Sequence, residues 1–402
     1  MSGASAKIED QTGAAVGLTH LATNNGTFAT ASGFNFTTGG NFTNNGTLNI
    51  GSGTKFSVNL ADSLTNFNST THTLSSGTYN VTGTLQFNNA NIVTNAANIT
   101  LTGTTSQIIN QSSANALAGF ATNNGSFTLA GNRSFTAASN FTNTGTLTIN
   151  GGSTFSVGTH VFTQTAGKTA DNGTLSASGG VKLNGGSLFG TGSITGTLTS
   201  SSAGTITPGT SSTTTGILKD TGTYTQNSGK LNISIKGATA GTQYDQFNPT
   251  KAALSGTLNI SRPTGFIPTI GSTFKIMNFG SETGTFGTVN GQAINSTEHF
   301  TVSYQPTDVL LSVVSGALTA SQPAFGVNTM PASSFVPIEA SISGDGRSSH
   351  MVFASAGGIR PTAAAELNTR SIPDHGSTFV LLLLAFAACG LFRWHSTSRR
   401  LI

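Results

Sequence analysis

Apolar and polar residues alternate in short runs along this chain. Thr47-Leu48-Asn49-Ile50, Phe56-Ser57-Val58 and Leu231-Asn232-Ile233-Ser234-Ile235 each carry an apolar side chain at every second position. A strand with one buried face requires that period. Thr and Val between the apolar positions favour extended backbone. Asn-Gly pairs punctuate the runs and offer the positive φ of a tight corner. No convincing helical periodicity precedes residue 376. The pattern predicts many short strands joined by tight corners.

The strands recur at fixed spacing. Residues 21–58 align without a gap on residues 120–157 at an offset of 99, matching Phe28 to Phe127, Phe36 to Phe135, Phe42 to Phe141 and Phe56 to Phe155. A shorter unit lies inside the long one: Gly26 and Gly46 are 20 residues apart, as are Gly125 and Gly145, each in an Asn-x-Gly-Thr/Ser-apolar context. Looser copies surround Gly173 and Gly196. Three short strands and three turns occupy about 20 residues, the size of one coil of a parallel β-helix. An antiparallel sandwich would instead place hairpin signals every 8–12 residues or so. The reading is therefore all-β: a right-handed parallel β-helix with a β-rich C-terminal cap, a disordered spacer and one C-terminal transmembrane helix. Stacked coils set Phe, Leu, Ile and Val in internal columns. Turn preference alone accounts for corner residues such as Asn25, Asn45 and Asn124, with stacked amide ladders as the alternative.

Composition narrows the function classes. Of 402 residues only 7% are charged, against roughly 25% in an ordinary soluble domain. Lys and Arg total 17, Asp and Glu 13, for a net charge of +4. The body has no dense basic stripe, so it lacks the electrostatic footprint of a nucleic-acid binder. A single Cys excludes a disulfide framework and a Cys-based zinc site. Gly, at 51 residues, fits the corners, and 26 Phe fit the internal columns.

Four segments follow. Residues 1–180 hold the repetitive coils. Met1–Asp10 lacks the apolar core of a signal peptide and reads like the middle of a coil, which suggests that a signal peptide and first coils precede it. Residues 181–318 form a closing β-rich segment, with phrases such as Thr221-Gly222-Thr223-Tyr224-Thr225-Gln226, Gly241-Thr242-Gln243-Tyr244-Asp245-Gln246-Phe247, Gly271-Ser272-Thr273-Phe274-Lys275-Ile276 and Asp308-Val309-Leu310-Leu311-Ser312-Val313. Over roughly residues 160–315 this series resembles the C-terminal part of bacterial autotransporter-like and exported β-helix proteins. The resemblance implies a segment that finishes and caps the solenoid. Phe247 stands where Leu is usual, and Asn248-Pro249-Thr250 is expected to break the next strand. Residues 319–371, rich in Ala, Ser and Pro, read as a flexible spacer.

Residues 372–402 have three parts. Ile372-Pro373-Asp374-His375-Gly376-Ser377-Thr378 precedes an apolar run to Phe392, and Arg393, Arg399 and Arg400 follow. The apolar run is short for a bilayer, but including Ser377 and Trp394 at the interfaces gives a candidate transmembrane helix over 378–394. The arginines are stop-transfer residues that place the C-terminus in the cytoplasm and the body outside. This tripartite tail resembles the PEP-CTERM class of bacterial sorting signals, in the variant with V-P-D-G/S-G-S-T before the helix. Ile372 stands for Val and His375 for Gly or Ser. The resemblance implies processing at residues 372–378 by an exosortase, a membrane-embedded cysteine transpeptidase. A sortase signal fits worse, and a lipid-anchor signal lacks the basic end. A tail-anchored protein with a cytoplasmic body is the alternative.

Candidate chemistry is sparse. Between Gln11 and Ala170 the charged residues are Lys55, Asp62, Arg133 and Lys168. No two acids lie one coil apart, as a glycosidase or lyase would need. Asp171 reads as a turn residue and Asp245 as part of the closing phrase. His20, His72 and His160 lack metal-ligand spacing. The chain therefore reads as a non-enzymatic exported surface or extracellular-matrix protein, structural or adhesin-like, requiring no cofactor or metal. Its expected partners are the exosortase, the membrane before processing, and extracellular polysaccharide, with no nucleic acid. The competing reading is a surface carbohydrate-active enzyme whose catalytic part lies elsewhere.

Overall fold

A computed structural model of the chain describes residues 18–317 apart from 212, 213 and 264, together with 338–342 and 349–353. It is all-β, with one short 3-10 turn at Leu18–His20 among the described residues. The alternating runs become the strands of a long parallel sheet. Twelve strands lie side by side in chain order, from Thr27–Thr30 to Thr288–Asn290. Successive strands of this sheet are separated by a full excursion of chain, so the backbone returns to the sheet once per coil. That arrangement is consistent with a β-solenoid.

The two periods in the sequence have one geometric origin. Thr27, Thr47, Thr78, Asn98 and Ser126 stand in register on five neighbouring strands. The offset of 99 is thus four coils. Two of the four steps take 20 residues; the others absorb extra chain. The step from Thr47 to Thr78 contains the short antiparallel pair Phe67–Asn68 and Thr73–Leu74.

Each coil contributes two further strands. One series runs through Ser134–Thr136, Thr154–Ser156, Thr174–Ser176 and Ser193–Thr195. The other runs through Thr122–Asn123, Phe141–Asn143, Phe162–Gln164, Val181–Leu183 and Leu198–Ser201. The apolar half of each alternation faces inward. Phe127 stacks beside Leu147, and Phe155 beside Leu175 and then Ile194, all fully buried. Each such side chain contributes roughly 1.5–3 kcal/mol of burial.

The corner glycines do something other than expected. Gly26, Gly46, Gly125 and Gly145 are absent from the glycines with positive φ. Close approach is what demands glycine at Gly46 and Gly145: a Cβ at Gly46 would overlap the carbonyl oxygen of Gly26, and one at Gly145 that of Gly125. The corner is narrow because the coils stack directly on one another.

Towards the C-terminus the strands lengthen. Ile217–Asn227 covers two sides of the coil, pairing first with Ser193–Thr195 and then with Leu198–Ser201. Gln246–Leu254 lies on it as one continuous strand. Asn248-Pro249-Thr250 therefore does not break the strand. Pro249 sits opposite Asp220, where the register shifts between Asp220 and Thr223. An irregular ladder position tolerates a residue without an N–H.

The parallel series ends in antiparallel pairing. Asp308–Ser315 pairs with Thr273–Asn278 on one side and Glu298–Gln305 on the other. Lys275 Nζ meets Asp308 Oδ2 at 2.9 Å across that junction. The exposed ladder of Thr273–Asn278 is covered by the returning chain, which blocks edge-to-edge association there. Parallel pairing continues on both sides of residue 181, Phe162 with Val181 in one series and Lys168 with Ser187 in the long sheet.

A second unit begins at Ser321. Its described part is an antiparallel pair, Ile338–Ile342 with Ser349–Phe353. This pair falls inside the segment expected as spacer. The motif Ile372–Thr378, the expected membrane helix at 378–394, and Arg393, Arg399 and Arg400 all lie outside the described residues. Among the described residues no helix is long and apolar enough to cross a membrane.

Candidate functional site

The polar half of each alternation faces out from the long sheet and forms two columns. The first reads Thr27, Thr47, Thr78, Asn98, Ser126, Thr146, Lys168, Ser187, Thr205, Lys230, Thr257, Thr288. The second, two residues further along each strand, includes Asn49, Asn80, Thr100, Thr128, Thr148, Ala170, Phe189 and Thr207. Rungs are spaced about 4.8 Å apart. Neither column contains an acidic residue.

Amide ladders link part of this face. Asn80 Nδ2 donates to Asn49 Oδ1 at 2.8 Å. Nearer the C-terminal end, Asn290 donates to Asn259, Asn259 to Asn232, and Asn232 to the Thr207 hydroxyl, at 2.9, 2.8 and 3.2 Å. These bonds fix the side chains in one orientation.

One stretch of the face is concave. A groove of about 790 Å³ runs over the strands that carry Thr146, Lys168, Ser187, Thr205 and Asn232, and Thr210 and Ser211 also line it. Phe189 lies in it, half-buried, at an outward position where the other coils carry Thr, Asn or Ala. Lys168 and Lys230 are exposed and share a column, with Ser187 and Thr205 between them.

The carboxylates are elsewhere. Asp171, Asp220 and Asp245 are all buried. Asp171 Oδ1 accepts the Gly173 N–H at 3.2 Å, the Asx turn expected of it, yet the residue is fully enclosed. Asp245 bridges two segments: Oδ1 accepts from Gly216 N at 2.9 Å and Oδ2 from Ser234 N at 2.8 Å. That explains an acid in the closing phrase by structure alone. Asp220 Oδ1 accepts from Gly222 N at 2.9 Å. Burial raises all three carboxyls, Asp171 and Asp220 to about 7 and Asp245 to about 6, against the pull of these hydrogen bonds. Among the described residues no group of three His, Cys, Asp or Glu is placed to hold a metal.

No protein-family model matches this chain, and no curated protein aligns with it. The site must therefore be argued from its own geometry. The apolar alternation gives the sheet one buried and one polar face in sequence, but the groove was missed. Its signal was available: in Ser187-Leu188-Phe189 the outward phase carries an aromatic, which breaks the alternation. Asp220 was also missed, because nothing in its local sequence marks a long strand bending through an inward position.

Proposed function

We propose that this chain is an exported, cell-surface or extracellular-matrix protein with a structural, adhesin-like role. We read its coils as a right-handed parallel β-helix, the hand that connections between parallel strands overwhelmingly take. The observation that carries the reading is the outward face of the long sheet, where one column runs through twelve rungs of hydroxyl, amide and lysine side chains with no acidic member. Such a face offers many weak hydrogen bonds to a long polar partner, and extracellular polysaccharide is the partner of that chemistry. The interior position of Asp171, Asp220 and Asp245, each engaged by backbone N–H groups, favours this reading over a glycan-cleaving enzyme.

The tail supplies the address. Ile372–Thr378 is the proposed processing motif for an exosortase-type transpeptidase, 378–394 the proposed membrane helix, and Arg393, Arg399 and Arg400 the cytoplasmic stop. The body is then anchored until it is cut free.

The test is fractionation of cells carrying a body-tagged chain, with and without a functional exosortase. Release to the surface or matrix is expected in the parent, and membrane retention in the deletion. Identical distribution in the two strains would reject the sorting role.

A further inference from the structure

We infer that the groove around Phe189 binds a strand of acidic polysaccharide, lying parallel to the stacking direction of the coils. The inference rests on the surface-protein reading for its setting, while its residues come from the groove and from Lys230, which follows Thr205 in the same column.

Three features converge there. The groove is elongated across successive rungs rather than along one strand, because its lining steps from Thr146 to Lys168, Ser187 and Thr205 down one column. A ligand that fills it is therefore a linear chain running from rung to rung. Extended pyranose chains advance by about one rung per sugar, so hydroxyl and amide groups repeating at about 4.8 Å meet successive sugars with similar geometry.

Phe189 supplies what the rest of the face lacks. It is the aromatic member of its column, half-buried, with Ala170 before it and Thr207 after it. A half-exposed ring between two small side chains is a platform for the apolar C–H face of a sugar. A ring placed there for packing alone would sit in the inward phase with Leu188.

The lysines set the charge. Lys168 and Lys230 lie three rungs apart in one column, about 14 Å at the usual rung spacing. Both are exposed, and the outward columns hold no acid to neutralise them. Two fixed cations flanking a sugar-stacking ring select carboxylated sugars at both ends of a short stretch. A neutral glucan gains the stacking and hydroxyl contacts and none of the ion pairing.

The experiment is calorimetry with the full chain and three probes: polygalacturonate, dextran and single-stranded poly(U). Polygalacturonate is expected to bind about tenfold or more tightly than dextran, a difference of about 1.4 kcal/mol, and its affinity is expected to fall as salt rises. Phe189→Ala should weaken polygalacturonate by about tenfold. Lys168→Gln with Lys230→Gln should remove its advantage over dextran and flatten the salt dependence. Thr100→Ala, on the same face outside the groove, should bind as the parent does. Unchanged far-ultraviolet circular dichroism and melting show that each variant is folded. Equal binding of polygalacturonate and dextran, poly(U) binding as tightly as polygalacturonate, or groove variants that bind like the parent would each overturn the assignment. Those results leave exosortase-dependent release intact, so a failure here is distinct from a failure of the surface-protein reading.

Discussion

The side-chain amide of Asn123 donates to the carboxamide oxygen of Asn143, one coil further on, at 2.9 Å and fully buried. Asn95 donates to Asn123 at 2.9 Å, and Asn143 reaches Gln164 at 3.4 Å. Asn24 and Asn44 repeat the bond at 2.8 Å in the earlier coils. The same amides also donate to backbone: Asn123 Nδ2 lies 3.0 Å from the Thr146 carbonyl oxygen. A polar column inside the protein is therefore saturated by its own repetition, which removes the cost of burying it.

Replacing one member breaks the column on both sides. Asn123→Ala leaves the Asn95 amide without its side-chain acceptor and removes the side-chain donor to the Thr146 carbonyl. A loss of about 1–3 kcal/mol is expected for unsatisfied buried partners. Asn45, whose amide donates to Asn25 at 2.9 Å in solvent, is the comparison; Asn45→Ala should fall within about 0.5 kcal/mol of the parent. Urea unfolding of both variants checks the contrast, and equal losses would mean that the buried ladder adds nothing.

Gly145 separates close approach from backbone freedom. Its φ is not positive, so alanine is allowed by the backbone and would stiffen the unfolded chain. A Cβ there overlaps the Gly125 carbonyl oxygen, so Gly145→Ala should instead destabilise by about 1–3 kcal/mol through overpacking. Gly40 is also outside the positive-φ set, with open space around a built Cβ; Gly40→Ala should be neutral or slightly stabilising. Thermal melting distinguishes them, and a neutral Gly145→Ala would show that the coils can part at this corner.

Much of this architecture was readable from the chain because stacking repeats both the sterics and the burial of each coil. Gly26 and Gly46 recur at 20 because every corner meets the one below it. The offset of 99 stayed unexplained in sequence because the two longer excursions, beyond Thr47 and beyond Asn98, hide the coil count. The buried ladder one residue earlier has no mark in the sequence, where turn preference, with an amide ladder as the alternative, accounts for Asn25, Asn45 and Asn124. Those side chains stand outside, while Asn24, Asn44 and Asn123 point in. Alternation marks inward positions by apolar residues, so an inward asparagine is invisible until its strand phase is known. Pro249 misled for a related reason: a proline opposes pairing only where the ladder is regular. Phe189 marks the groove's place in the sequence, but the groove also draws on Thr210 and Ser211, which no local pattern announces.

The buried acids give stability a definite pH slope. In the unfolded chain a carboxyl titrates near 4, whereas Asp171 and Asp220 titrate at about 7 in the fold and Asp245 at about 6. Between about pH 4 and 7 the folded protein binds more protons than the unfolded chain, so stability falls as pH rises through that window. It is fully present below the unfolded value and lost by the time the folded groups ionise. Asp171→Asn keeps an acceptor for the Gly173 N–H and removes one titrating group. It should shift the urea midpoint less between pH 4.5 and 8 than the parent does. A parent midpoint that rises over that interval would contradict the buried-acid account.

Phe155 tests how far a defect spreads. It is fully buried, with ring centroids of Phe141, Phe135, Phe162 and Phe127 at 4.8, 5.4, 6.1 and 6.3 Å. Phe155→Ala should cost about 3–5 kcal/mol from lost burial and the cavity left behind. In a stacked array each coil rests on its neighbours, so the weakening should be local. Hydrogen exchange should quicken in Thr154–Ser156 and in the neighbouring strands Ser134–Thr136 and Thr174–Ser176, while Thr257–Ser261 keeps its protection. Leu60, 43% exposed, is the control, and Leu60→Ser should change stability by no more than about 0.5 kcal/mol. Uniformly faster exchange from the first coil to the last would instead mean that the coils unfold as a single cooperative unit.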